Sequence, residues 1–138
     1  MEYIKEYTVK EEHIDFQGIM DGLYYPFYME DCRHQFGKDV LGFDIEFAAK
    51  EGINMILSEY TIKFHRSLLK DDSFTVNCEL FSDSEGSPKF YLKQEIRRNK
   101  KLITSAVFTA TCVKATGGRP FIPEYLLNKI NAAPKLEK

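Results

Sequence analysis

The chain has 138 residues, 43% hydrophobic and 14% aromatic, which suits one globular domain with a sizeable core and leaves no room for a second. A net charge of −2, with basic residues scattered or answered by acids, argues against nucleic acid as the main ligand. No apolar run approaches the roughly 18 residues of a membrane span, and three cysteines without CxxC spacing give neither a disulfide framework nor a zinc site, so a soluble, cytoplasmic protein with reduced thiols is expected.

Residues 2–9, EYIKEYTV, alternate as a strand does, with Tyr3, Lys5 and Tyr7 on one side and Ile4 and Thr8 on the other. From Tyr24 the period changes to that of a helix: Tyr24, Tyr28, Cys32 and Phe36 recur every four residues with Tyr25 and Met29 beside them. Pro26 fits only a first turn, which starts this helix between Gly22 and Tyr25, and Gly37 and Gly42 bracket its end. A short helix over Ile45 to Lys50 precedes Gly52. Four alternating segments then follow: INMILSEYTIKF, with Ile56, Tyr60, Ile62 and Phe64 on one face, SFTVNCELF, KFYLKQEIR and LITSAVFTATCV. The turns between them, LLKDDS, SDSEGSP and RRNKK, are short enough to favour an antiparallel meander. A helix near Pro123 to Ile130 ends the domain, taken as residues 1–131, and 132–138 reads as a loose tail. The sum is an α+β domain in which the early helix covers an antiparallel sheet of about five strands.

The chemistry points to HIDFQGIMDGLYYPFYMEDCRHQF, residues 13 to 36. A helix N-terminus offers unpaired N–H groups and partial positive charge to a developing oxyanion, and Gly22 would let a ligand approach that backbone. Asp15 lies seven residues upstream, before the turn made by Gly18. A carboxylate and oxyanion donors facing one carbonyl are the needs of acyl hydrolysis. Asp21 reads as the cap of the helix. Lys63, His65, Arg66 and Lys70 follow the first long strand, as an ordinary solvated strand end or as partners for phosphate. Glu30 and His34, four apart on the helix, have no third ligand at useful spacing and read as a surface pair. Cys32 lies on the apolar stripe and reads as core.

The pattern Asp15-x-x-Gly18-Ile19-Met20, followed by Tyr25, Glu30 and Arg33, resembles the opening signature of the 4-hydroxybenzoyl-CoA thioesterase-like branch of the hotdog superfamily. The segment SLLKDDSFTV, residues 67–76, is similar to that family's turn between two long strands, and the likeness runs from about Tyr3 to Val113. Departures are Gly22, where many relatives have His or Asn, Asp21, where several have Asn or an aromatic, and Ser67 in place of a frequent proline. The resemblance implies a hotdog fold, a long helix wrapped by an antiparallel sheet, in homodimers or homotetramers that cleave acyl-CoA or acyl-carrier-protein thioesters with no metal or other cofactor. It implies Asp15 as nucleophile or general base and the backbone of Gly22 and Leu23 as oxyanion site; Gly18, Ile19, Met20, Asp21 and Tyr25 beside them, and Arg66 of the basic strand end, are the expected substrate contacts. A non-catalytic acyl-binding protein and a hydratase or dehydratase stay open, the latter because His13 lies two residues from Asp15 on the same strand face.

Overall fold

A computed structural model describes residues 2–137. In chain order the elements are β1 (Tyr3–Thr8), a 3-10 turn (Glu11–His13), α1 (Tyr24–Phe36) running on into a π-helical turn (Gly37–Leu41), α2 (Ile45–Lys50), β2 (Ile53–Phe64), β3 (Ser73–Ser82), β4 (Phe90–Arg98), β5 (Lys101–Lys114) and α3 (Glu124–Ala132). The five strands form one sheet in the order β1-β3-β4-β5-β2, every neighbouring pair antiparallel. Among the described residues no helix is long and apolar enough to cross a membrane.

The predicted helix stripe is the stripe that is buried: Tyr25, Tyr28, Met29, Cys32 and Phe36 pack with Val76, Cys78, Leu92, Ile96 and Phe108 of the sheet. Gly42 closes this helical stretch in the left-handed conformation (φ 67°) that glycine adopts without strain. On β1 the alternation puts Tyr3 and Tyr7 inward, where their hydroxyls donate to Asp39 and Asp31 at 2.7 Å and hold the strand to the helical layer. Gln94 of β4 lies wholly buried beneath α1, its Nε2 donating to Met29 O (3.0 Å) and Asn77 O (3.3 Å). The side-chain amide thus fixes the helix at one height over the sheet, because sliding it would leave buried donors unpaired.

Two expectations about the strands are corrected. The four long strands are not a simple meander: β3, β4 and β5 follow one another, but β2 pairs with β5 at the far edge, and residues 65–72 carry the chain across the end of the sheet to β3. That connection is held because Leu68 is fully buried against the helix start, its N–H donating to Tyr25 Oη and its carbonyl accepting from Met20 N–H. Nor does β2 bury one regular face, since its register slips opposite Ser58, and Ile56, Tyr60 and Phe64 are 42%, 49% and 54% exposed. The stretch read as a loose tail lies beside the end of β3, Ser82 N–H donating to Pro134 O and Leu136 N–H to Ser82 O.

Candidate active site

Asp15 begins a tight turn. Its N–H donates to Ile19 O (2.9 Å), its carbonyl accepts from Gly18 N–H (3.0 Å), and Gly18 takes φ 84°, a conformation that disfavours any residue with a Cβ. The carboxylate Oδ1 accepts from Gln17 N–H at 2.7 Å, while Oδ2 has no partner among the described residues. The half-buried acid is therefore oriented through one oxygen and leaves the other open.

The turn is anchored to the start of α1 by a continuous chain of contacts. Met20 N–H donates to Leu68 O (2.8 Å), Leu68 N–H donates to Tyr25 Oη (3.0 Å), and Tyr25 belongs to the first turn of α1. Burial raises the Tyr25 phenol above its usual value, the hydrogen bond from Leu68 works the other way, and the negative charge of Asp15 adds to the rise. Asp21 is not the N-cap expected of it: α1 begins at Tyr24 with Leu23 at the N-cap position and no side chain capping it, and Asp21 instead closes the turn before the helix, its Oδ1 accepting from Leu23 N–H (2.9 Å) and its carbonyl from Tyr24 N–H (3.0 Å). This turn divides the two expected oxyanion donors. Leu23 N–H is committed to Asp21, whereas Gly22 N–H has no hydrogen-bond partner among the described residues and lies at the exposed surface. A Cβ at Gly22 would meet nothing within 4 Å, so this glycine leaves open space above the backbone.

The other expected contact residues fall in different places. Met20 is 1% exposed and part of the core, and Tyr25 is buried with its ring edge-on to Phe64 at 5.3 Å. Both hold the turn and helix together, and neither presents a free side-chain surface. Ile19 is half-buried in the turn. Arg66 is exposed, its Nη1 donating to Leu102 O at 3.1 Å, which sets it beside the β4–β5 hairpin carrying Lys100 and Lys101. His13 does not lie on a strand with Asp15. It ends the 3-10 turn, is buried, stacks on Tyr24 at 3.8 Å between centroids, and shares a 2.8 Å hydrogen bond with Tyr28 Oη through Nδ1. An imidazole so enclosed by aromatic rings braces the loop against α1.

Around this site the surface is unusually apolar: Phe16, Leu23 and Phe27 are 96%, 78% and 51% exposed. A cavity lined mostly by apolar side chains lies elsewhere, between the second half of α1, the π-helical turn, α2 and the start of β2. It measures about 420 Å³, and Glu30, Arg33 and His34 all border it. Arg33 and Gln94 are the residues that sequence reasoning did not bring to the interior. The signal was present, since Arg33 follows Met29 by four positions on the buried stripe and Gln94 stands in period two between Leu92 and Ile96.

The family model of the thioesterase-like superfamily matches residues 9–130. No curated protein matches the chain. Among solved structures it is similar to a gentisyl-coenzyme A thioesterase, BH1999 (21% identity, 91% of this chain and 97% of that one covered, TM-score 0.79). It is also similar to the DHNA-CoA thioesterase of Staphylococcus aureus (19%, 93% and 85%, 0.78) and to a 1,4-dihydroxy-2-naphthoyl-CoA thioesterase of Synechocystis (13%, 96% and 97%, 0.83). At these identities the structures speak for the fold alone, which is the hotdog fold expected from the sequence. The family match spans the turn of Asp15, the whole of α1 and all but the first strand of the sheet, and on that match the chain belongs to the thioesterase-like superfamily.

Proposed function

We propose that the protein hydrolyses an acyl thioester, of coenzyme A or of an acyl carrier protein, to a carboxylic acid and a free thiol. Membership of the thioesterase-like superfamily sets the reaction class. The assignment of residues rests on an Asp15 carboxylate oriented through one oxygen with the other uncommitted, and on a Gly22 N–H left open just before α1. Asp15 takes a proton from the attacking water, or attacks the thioester carbonyl itself to form an acyl-aspartyl anhydride that a second step hydrolyses with water; in either case the C–S bond breaks, the sulfur leaves as thiolate and takes up a proton, and the Asp15 carboxylate is regenerated. Gly22 N–H and the partial positive charge of the α1 N-terminus stabilise the oxyanion. Leu23 supplies apolar surface to the substrate, since its N–H is taken by the Asp21 carboxylate. Arg66, with Lys100 and Lys101 nearby in sequence to its partner Leu102, meets phosphate on the thiol carrier.

The active form is a homo-oligomer. β2 is a 12-residue strand at one end of the sheet whose outer edge is unpaired among the described residues, with Ile56, Leu57, Tyr60 and Phe64 exposed. An edge of this length and apolarity favours pairing with a second copy. The test is release of thiol from a broad panel of acyl-CoA substrates, read with a thiol reagent. Absence of release across the panel refutes the reading.

A further inference from the structure

Arg33 has an environment that the fold does not explain. It is only 8% exposed, its Nη1 donates to the neutral amide oxygen of Gln94 (3.1 Å), and its guanidinium carbon lies 4.2 Å from the centroid of the Phe108 ring. Among the described residues no carboxylate lies within 4 Å of its nitrogens. Burial works against its charge, and the carboxylate of Glu30, exposed at the open side of the cavity, acts on it only from a distance. A guanidinium has five N–H donors in a planar fork, and one hydrogen bond with one aromatic face leaves most of that capacity unused. An unpaired cation held out of water is costly, and such groups are retained where a ligand completes them.

Arg33 borders the 420 Å³ cavity, whose other walls include Leu41, Phe43, Ile45, Met55, Leu57 and Leu92. This volume falls within the range of about 300–1,000 Å³ of small-molecule sites. His34, the remaining polar neighbour, is held toward its neutral form by desolvation, so Arg33 is the one cation on this wall. We infer that the cavity binds an apolar organic group ending in a carboxylate, which Arg33 meets through its unused donors. A carboxylate fits the guanidinium fork by two parallel hydrogen bonds, and neutral isosteres cannot supply the charge.

The test uses the protein without any thioester. 4-Phenylbutyrate and its neutral amide, 4-phenylbutanamide, are titrated into 15N-labelled protein, and the backbone signals of Met55, Ile56 and Leu57 are followed. The carboxylate is expected to bind at least tenfold more tightly than the amide, with shifts at these residues, and the preference is expected to persist in part in Arg33→Lys and to vanish in Arg33→Gln. Equal affinity of the two compounds, no shifts at the cavity, or an undiminished preference in folded Arg33→Gln overturns the inference. If the Arg33→Gln protein does not fold, the comparison of the two compounds on the parent protein decides. Because no thiol release is read, this result stands apart from whether the protein is a thioesterase.

Discussion

Tyr25→Phe removes one oxygen atom and tests how the candidate site is held. The Tyr25 hydroxyl accepts the N–H of Leu68 at 3.0 Å, and Leu68 is fully buried. Phenylalanine keeps the ring and its edge contact with Phe64, so the change leaves the packing intact and orphans one buried amide. A buried donor left without a partner costs about 1–3 kcal/mol. For a domain of this size that corresponds to a fall in melting temperature of roughly 3–10 °C. Because Leu68 also accepts from Met20 at the end of the Asp15 turn, the same change loosens the turn and lowers the rate of thiol release. Urea and thermal unfolding of parent and variant measure the effect, with Tyr3→Phe as control. Tyr3 donates to Asp39 near the surface, where water can replace it, and its removal is expected to cost under about 1 kcal/mol. A Tyr25→Phe protein as stable as the parent to within about 0.5 kcal/mol, the scatter of neutral surface changes, would refute the reasoning. Unchanged stability with a raised KM would instead assign the hydroxyl to substrate.

The three cysteines are all buried, and burial pushes Cys32 up to about 12, Cys112 up to about 11 and Cys78 well above the usual thiol value. A disulfide reagent at pH 8 is therefore expected to label none of them quickly in the native protein and all three in denaturant, so rapid native labelling contradicts the packing. His34 is held below the ordinary imidazole value of 6.5 by desolvation, and an NMR titration is expected to find its midpoint there. The folded state then binds fewer protons than the unfolded state, so His34 lowers stability as the pH falls below 6.5 toward its folded midpoint, and a midpoint above 6.5 contradicts this sign. Tyr60→Lys, on the exposed edge strand, is expected to shift the protein toward monomer in sedimentation and to reduce thiol release with it. A monomeric parent refutes the pairing through β2.

The elements with a clean period were legible in the sequence. α1 was found because Tyr24, Tyr28, Cys32 and Phe36 repeat every four residues, and β3 because Phe74, Val76 and Cys78 alternate into the core. The path between strands was not legible. Nothing in LLKDDS states that Leu68 will pin the connection over the helix start and send the chain across the sheet, since that depends on contacts with Met20 and Tyr25 formed only in the fold. β2 misled for a related reason: a one-residue slip at Ser58 breaks its alternation, so that Ile53, Met55 and Ile62 pack on the core while Ile56, Leu57, Tyr60 and Phe64 stay exposed in the single chain. At the site, the Asx-type turn of Asp15 followed from local residue chemistry, whereas Asp21 makes a second such turn two residues ahead of the N-cap position, Leu23, and not the cap expected of it. The commitment of Leu23 N–H to that turn leaves Gly22 as the open donor. The buried Arg33 was in register with the helix stripe all along, and its charge concealed it, because an apolar pattern is sought among apolar residues.

The central claim is that Asp15 carries the reaction. Purified parent and Asp15→Asn proteins, assayed side by side on the same acyl-CoA panel with a thiol-detecting reagent, test it most directly. Asparagine is nearly isosteric and its side-chain oxygen can still accept from Gln17 N–H, so the turn should stand while the negative charge is lost. The parent is expected to release thiol from at least one substrate, and Asp15→Asn to be slower by about 10²–10⁴-fold, the usual contribution of a positioned acid or base. An Asp15→Asn protein as active as the parent would contradict the account.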